Sequence, residues 1–211
     1  HHHYLHYGEI NNELMNARDI ILGDNPVLTT FVNNGYKTNL ILEHSYLLLN
    51  YPEVSYDTNN VNRSELSPLL PNYFLGKDYK KDFETQVLSA TEDPQFYFVE
   101  ILHPGHISFS KDREDAITFE KNKYREEIKS ISSQLIDMVQ FIELNDPEAI
   151  ILIVADHGGF VGYTHTGAAY MQPEKDLALK ESVFNALYAV KAPQGFDPFQ
   201  KTVRSSIGVF P

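Results

Sequence analysis

Residues 149–159 read AIILIVADHGG. An apolar run from Ala149 to Ala155 leads directly into Asp156, His157, Gly158 and Gly159. A run of that length suits a strand buried on both faces, as in a parallel sheet, and is too short to cross a membrane. In open α/β sheets ligands bind beyond the carboxyl ends of the strands, where this run places a carboxylate and an imidazole. An Asp-His pair there can hold a hard or borderline metal through oxygen and nitrogen. The two glycines let the backbone turn sharply and leave space beside the pair.

The segment before this strand predicts a long helix over about 121–144. Tyr124, Ile128, Ile131, Leu135, Met138, Val139 and Ile142 recur every three to four residues, and Asn145-Asp146-Pro147 ends it. Upstream, FYFVEIL predicts a strand over 96–102, followed by the loop HPGHISF and preceded by the break Asp93-Pro94. A helix is expected over 77–90, with Tyr79, Phe83, Val87 and Leu88 along one face. Residues 44–76 are rich in Asn, Pro, Ser and Tyr without a clear period and read as an irregular surface excursion. YKTNLILE predicts a strand over 36–43. Before it, Asn25 suits an N-cap and Pro26 the first helical position, Val27, Leu28, Phe31 and Val32 give an apolar face, and Gly35 closes the helix. NALYAVK, residues 185–191, reads as a further strand closed by Pro193. Strands alternating with helices predict an α/β fold, a mostly parallel sheet with helices on both faces. Strands 96–102 and 149–155 are expected parallel in one sheet, with their C-terminal ends on the same edge, because the 121–144 helix between them suits a parallel crossover.

The chain has 211 residues, 42% hydrophobic and 22% charged, which is ordinary globular composition and enough for one domain with a sizeable core. His1, His2 and His3 read as the end of a purification tag, leaving 4–211 as a single domain. The formal net charge is −12, which leaves no basic surplus for nucleic-acid phosphates. An anionic substrate would need local positive charge, which a metal dication supplies. With no cysteine, disulfides and thiolate chemistry are excluded. No apolar run reaches the length of a membrane-spanning helix.

Histidines cluster at two predicted strand ends: His103 and His106 after FYFVEIL, and His157 after AIILIVA. If both strands lie in one parallel sheet, His106, Asp156 and His157 converge on one edge. His165, in GYTHTG, is a candidate further metal ligand on a loop bracketed by Gly162 and Gly167. Structural roles compete for each: an aspartate after a strand also forms turns, and His103, before Pro104, also shapes one. His44, beside Glu43, reads as structural, and the acidic run 112–115 as a solvated surface.

Taken in order, these pieces resemble the sulfatase-like branch of the alkaline phosphatase superfamily, which includes sulfatases, phosphoglycerol transferases and phosphoethanolamine transferases. VLTTFVNNGYKTNLI resembles a helix, Gly-Tyr-Lys-Thr and strand of that family. FYFVEILHPGHISF resembles its strand and Pro-His-x-Pro-Phe type loop. The helix from Tyr124 leads to an Asp-His-Gly strand, and NALYAVKAP resembles a later strand ending at proline. The resemblance spans about 26–211, with Asp-His-Gly its sharp motif.

The resemblance implies a metal-dependent phosphate- or sulfate-ester hydrolase or transferase. Asp156 and His157 become metal ligands, joined by His165, and His106 becomes the catalytic histidine contacting the substrate phosphate or sulfate. Gly105 before His106, and Ser108 where proline is usual, leave His103 open as that contact. The implied metal is manganese, zinc, magnesium or calcium. The substrate is an anionic ester, lipid- or glycan-linked, on the extracytoplasmic side of a bacterial membrane. The family's first acidic ligand and its nucleophile precede the matched region, and Thr29 and Thr30 match the helix before Gly35 rather than the nucleophile. The 211 residues are therefore expected to be the C-terminal part of a larger enzyme domain and inactive alone. Two other readings remain: a catalytically incomplete binding module of this fold, and an unrelated doubly wound domain in which Asp156-His157 only forms a turn.

Overall fold

The structure, a computed structural model, describes residues 25–45, 56–66, 75–106, 115–163 and 185–193, together with Leu69, Glu181, Val183 and Gly195. The chain forms two compact units, His1–Leu102 and His103–Pro211.

In the first unit, helix α1 (Pro26–Asn33) starts as its sequence dictates. The Asn25 side chain accepts hydrogen bonds from the backbone N–H groups of Val27 and Leu28, two donors the helix itself leaves unpaired. Strand β1 (Lys37–Leu42) follows, then the two-residue strand β2 (Thr58–Asn59) and a 3₁₀ turn (Arg63–Leu66). Both of these lie within the stretch expected to be irregular. Helix α2 (Tyr79–Leu88) is capped by Asp78, whose carboxylate accepts from Lys81 N, and leads to strand β3 (Gln95–Glu100). The sheet order is β2-β1-β3 and all pairs are parallel. Lys37 stands opposite Gln95 and Leu42 opposite Glu100.

A central strand is buried on both faces, and Thr38 to Leu42 are all buried. Phe31 of α1 stacks on Phe96 at 4.0 Å, whereas Phe83 of α2 meets Tyr97 edge-on at 5.5 Å. Phe96 and Tyr97 are adjacent in β3 and point to opposite faces, so one helix covers each face. Leu40, Leu42 and Val61 form a core with Tyr56 and Leu66 packed against it. Asn39 is buried yet satisfied: its amide donates to Gln95 Oε1 and to the Phe96 carbonyl, and its oxygen accepts from Thr58 Oγ1.

In the second unit, helix α3 (Ala116–Asn145) is 30 residues long and begins five residues before the expected start. Ile131 and Met138 are buried on its inner stripe, while Lys129–Glu126 and Lys123–Glu127 pair on its surface. Strand β4 (Ile151–Val154) pairs with β5 (Tyr188–Lys191) in a two-stranded antiparallel sheet, with Ile151 opposite Lys191 and Val154 opposite Tyr188.

The strands predicted over 96–102 and 149–155 do not share one parallel sheet: β3 belongs to the three-stranded sheet and β4 to the antiparallel pair. Nor is β4 buried on both faces, since its residues are half-buried or exposed and Val154 is 45% exposed. The physical reason is a strong local partner. The 185–191 run returns alongside, Ala155 N donates to the Leu187 carbonyl, and Lys191 Nζ donates to the Pro147 and Ala149 carbonyls. No helix among the described residues is long and apolar enough to cross a membrane.

Candidate functional site

The end of β4 is pinned before it reaches the motif. Ala155 N donates to Leu187 O at 2.9 Å, and Gly158 N donates to Val183 O at 2.7 Å. Between these anchors the chain turns and presents Asp156 and His157. The Asp156 side chain is 80% exposed, and its Oδ1 accepts the His157 backbone N–H at 2.9 Å. This is the local bond an aspartate makes in a turn.

His157 is fixed from both ends. Its Nδ1 lies 2.7 Å from the Gly158 carbonyl oxygen. A carbonyl only accepts, so Nδ1 carries the proton and a neutral ring presents a lone pair at Nε2. That Nε2 lies 3.3 Å from His106 Nε2 and 3.6 Å from Asp156 Oδ2.

His106 arrives on the loop after His103, through a cis His103-Pro104 bond and Gly105 at φ 67°. A side chain at Gly105 would strain that turn. The two imidazole planes lie 12° apart with ring centroids at 5.3 Å. Phe160, 6% exposed, meets both rings edge-on, at 5.9 Å for His106 and 5.2 Å for His157. The arrangement is an apolar wall below, two ring nitrogens facing each other, and a carboxylate at the solvent side.

Of the two glycines, neither takes a positive φ, so the turn does not depend on glycine's backbone freedom. The space at Gly159 is used: a Cβ there would lie 2.8 Å from both Cζ and Oη of Tyr124. The Tyr124 ring thus lies directly on the motif. Burial, and then the Glu127 carboxylate, push its hydroxyl pKa above the ordinary value of 10.0.

The structure therefore brings together His106, His157 and Asp156 from two loops, although the shared parallel sheet expected to do so is not what positions them. His103 is exposed on the same loop as His106. His165 lies outside the described residues. His44 sits at the end of β1 with Nε2 3.9 Å from Glu43 Oε1. Thr29 and Thr30 are exposed on α1. Phe160 and Tyr124 were not singled out as site residues. An apolar residue directly after Gly-Gly was the available signal for Phe160; Tyr124 read only as one position of a helical stripe.

Imidazole nitrogens and a carboxylate oxygen are the donor types that a borderline divalent ion takes, and the proton held on Nδ1 aims the His157 lone pair outward. This is the pattern expected of a ligand histidine. Among the described residues no group of three or more His, Asp or Glu side chains is arranged to hold a metal ion, so the donors present fit a partial ligand set rather than a closed cage. No protein-family model matches the chain, and no curated protein matches it.

Proposed function

We propose that this chain carries the Asp-His-Gly part of a metal-dependent phosphate- or sulfate-ester hydrolase or transferase, similar to the sulfatase-like branch of the alkaline phosphatase superfamily. The substrate in this reading is an anionic ester, lipid- or glycan-linked, met on the extracytoplasmic side of a bacterial membrane. The observation that carries it is the meeting of His106 and His157 from two separate loops, beside Asp156 at the end of a strand. Structural histidines do not require such a pairing.

Asp156 and His157 hold the divalent ion, with His165 as a further ligand. A histidine of the 103–106 loop, His106 or His103, meets a nonbridging oxygen of the ester by donating a hydrogen bond. The bound ion supplies positive charge that a chain of net charge −12 otherwise lacks for an anionic group. The Gly158 carbonyl keeps His157 in one tautomer, and Phe160 keeps water from the back of both rings.

The test is ligand binding, which needs no nucleophile. Phenyl phosphonate, a non-hydrolysable ester mimic, is titrated calorimetrically into the chain with and without manganese or zinc. Binding should require the metal and should be lost in Asp156→Ala and in His157→Ala. Metal-independent binding, or binding indifferent to both substitutions, refutes the proposal.

A further inference from the structure

We propose that His106 is itself a metal ligand: His106 and His157 bind one first-row transition ion, zinc by preference, each through Nε2. This rests on the metal-dependent reading above and decides a role left open within it, since His106 then holds the ion and His103 remains the loop's histidine for the ester.

The spacing carries the inference. Zinc–imidazole bonds are about 2.0–2.1 Å, and two of them at a tetrahedral angle hold their nitrogens about 3.3–3.4 Å apart. The observed Nε2–Nε2 distance is 3.3 Å. Two imidazoles on one tetrahedral ion bring their ring centroids to about 5.2 Å, whereas a head-on pair at this nitrogen spacing would stand at about 5.6 Å. The observed centroid distance is 5.3 Å. A direct N–H···N hydrogen bond is the other arrangement these atoms could make, but 3.3 Å is long for one, the ordinary N–H···O mode being about 2.9–3.0 Å.

The surroundings agree. His157 donates its Nδ1 proton to Gly158 O, the outer bond that ligand histidines make, and so presents Nε2 as a donor to metal. His106 is exposed, so water can take its Nδ1 proton's hydrogen bond when Nε2 ligates. Asp156 Oδ2 lies 3.6 Å from His157 Nε2, a carboxylate oxygen beside that nitrogen. Phe160 braces both rings from below. Two imidazoles against one carboxylate favour zinc over magnesium and calcium, which take oxygen ligands.

The experiment titrates the full chain, with His1, His2, His3 and His6 replaced by serine so that terminal imidazoles do not compete. Zinc affinity is read by calorimetry, and ligand geometry by the visible absorption of cobalt(II) as a zinc surrogate. Circular dichroism confirms that each variant is folded. The expected result is a tetrahedral cobalt spectrum in the parent and a zinc affinity weakened roughly a hundredfold or more in His106→Ala, His106→Gln and His157→Ala, at least the upper end of what losing an outer partner brings. His103→Ala leaves both unchanged, and a large excess of magnesium or calcium does not displace zinc. If His157→Ala and Asp156→Ala lose binding while both His106 variants bind as the parent does, His106 is not a ligand and the inference fails, while the metal-dependent reading stands. If the parent chain binds no divalent ion, both fail.

Discussion

Gly159→Ala tests whether Tyr124 locks the Asp-His-Gly-Gly turn onto helix α3. Gly159 has no positive φ, so alanine meets no backbone strain and the substitution isolates a steric effect. The new Cβ would lie 2.8 Å from Cζ and Oη of Tyr124 and 3.1 Å from Cε1. Ordinary contact begins near 3.4 Å, so the ring or the turn must withdraw by about 0.6 Å. Tyr124 belongs to the third turn of a 30-residue helix, and the Gly158 N–H is held by Val183 O, so neither side yields freely. Overpacking of this kind costs about 1–3 kcal/mol, which lowers the melting temperature of a chain this size by roughly 2–12 °C. The assay is thermal and urea unfolding of Gly159→Ala, Tyr124→Leu and the double variant. With the ring gone, the added methyl should cost less than about 0.5 kcal/mol, the limit for independent sites. An equal loss in both backgrounds, or no loss in the parent, would refute the lock.

Two further outcomes follow from the first unit. The buried Glu43 accepts the Leu102 N–H at 2.6 Å, so Glu43→Ala leaves that donor unpaired and should destabilise by about 1–3 kcal/mol, whereas Glu43→Gln, which keeps an acceptor, should lose less; equal losses in urea denaturation would show that the hydrogen bond is immaterial. Asp57 accepts from the Thr38 backbone N–H and hydroxyl, which with Lys37 at 3.5 Å hold its pKa below the ordinary 3.8 against the opposing effect of burial. Because the folded pKa is lowered, the carboxylate's contribution is present above pH 3.8 and is lost as pH falls through the folded value. The stability gap between the parent and Asp57→Asn should therefore shrink as pH falls below the ordinary 3.8, and a gap that stays constant with pH would count against the charge-assisted bond.

What the sequence made legible was local. The Asn25 cap and Pro26 start, the six-residue strand from Lys37 and the stripe of helix α3 are set by residues within a turn or two of one another. Helix α3 starts earlier than its stripe because Ala116 to Glu120 continue it without a breaker, even though Ile117 and Phe119 remain exposed. The short pairing of Thr58 and Asn59 with β1 was not legible, since two polar residues carry no strand signal. Their place is fixed by side chains instead: Thr58 Oγ1 on Asn39, and Asn60 bridging the Leu42 N–H and carbonyl.

ILIV at 151–154 is apolar enough for the middle of a parallel sheet, but apolar content specifies burial and not a partner. Tyr188–Lys191 offers a run of equal length, and Lys191 reaches the carbonyls of Pro147 and Ala149 only when the two runs are antiparallel in the observed register. A single lysine at the end of the second run thus helps select among pairings that hydrophobicity leaves equivalent. The candidate site survives this change because its residues do not depend on the sheet's direction. Asp156 and His157 follow the strand's end whichever neighbour it takes, and His106 reaches them through the turn at Pro104 and Gly105. What orients the rings is Phe160 and the Gly158 carbonyl, contacts made within four residues of Asp156. The placing of Asp156 and His157 at a strand end was readable because the turn carries it, whereas the meeting with His106 and the strand pairings join segments distant in sequence.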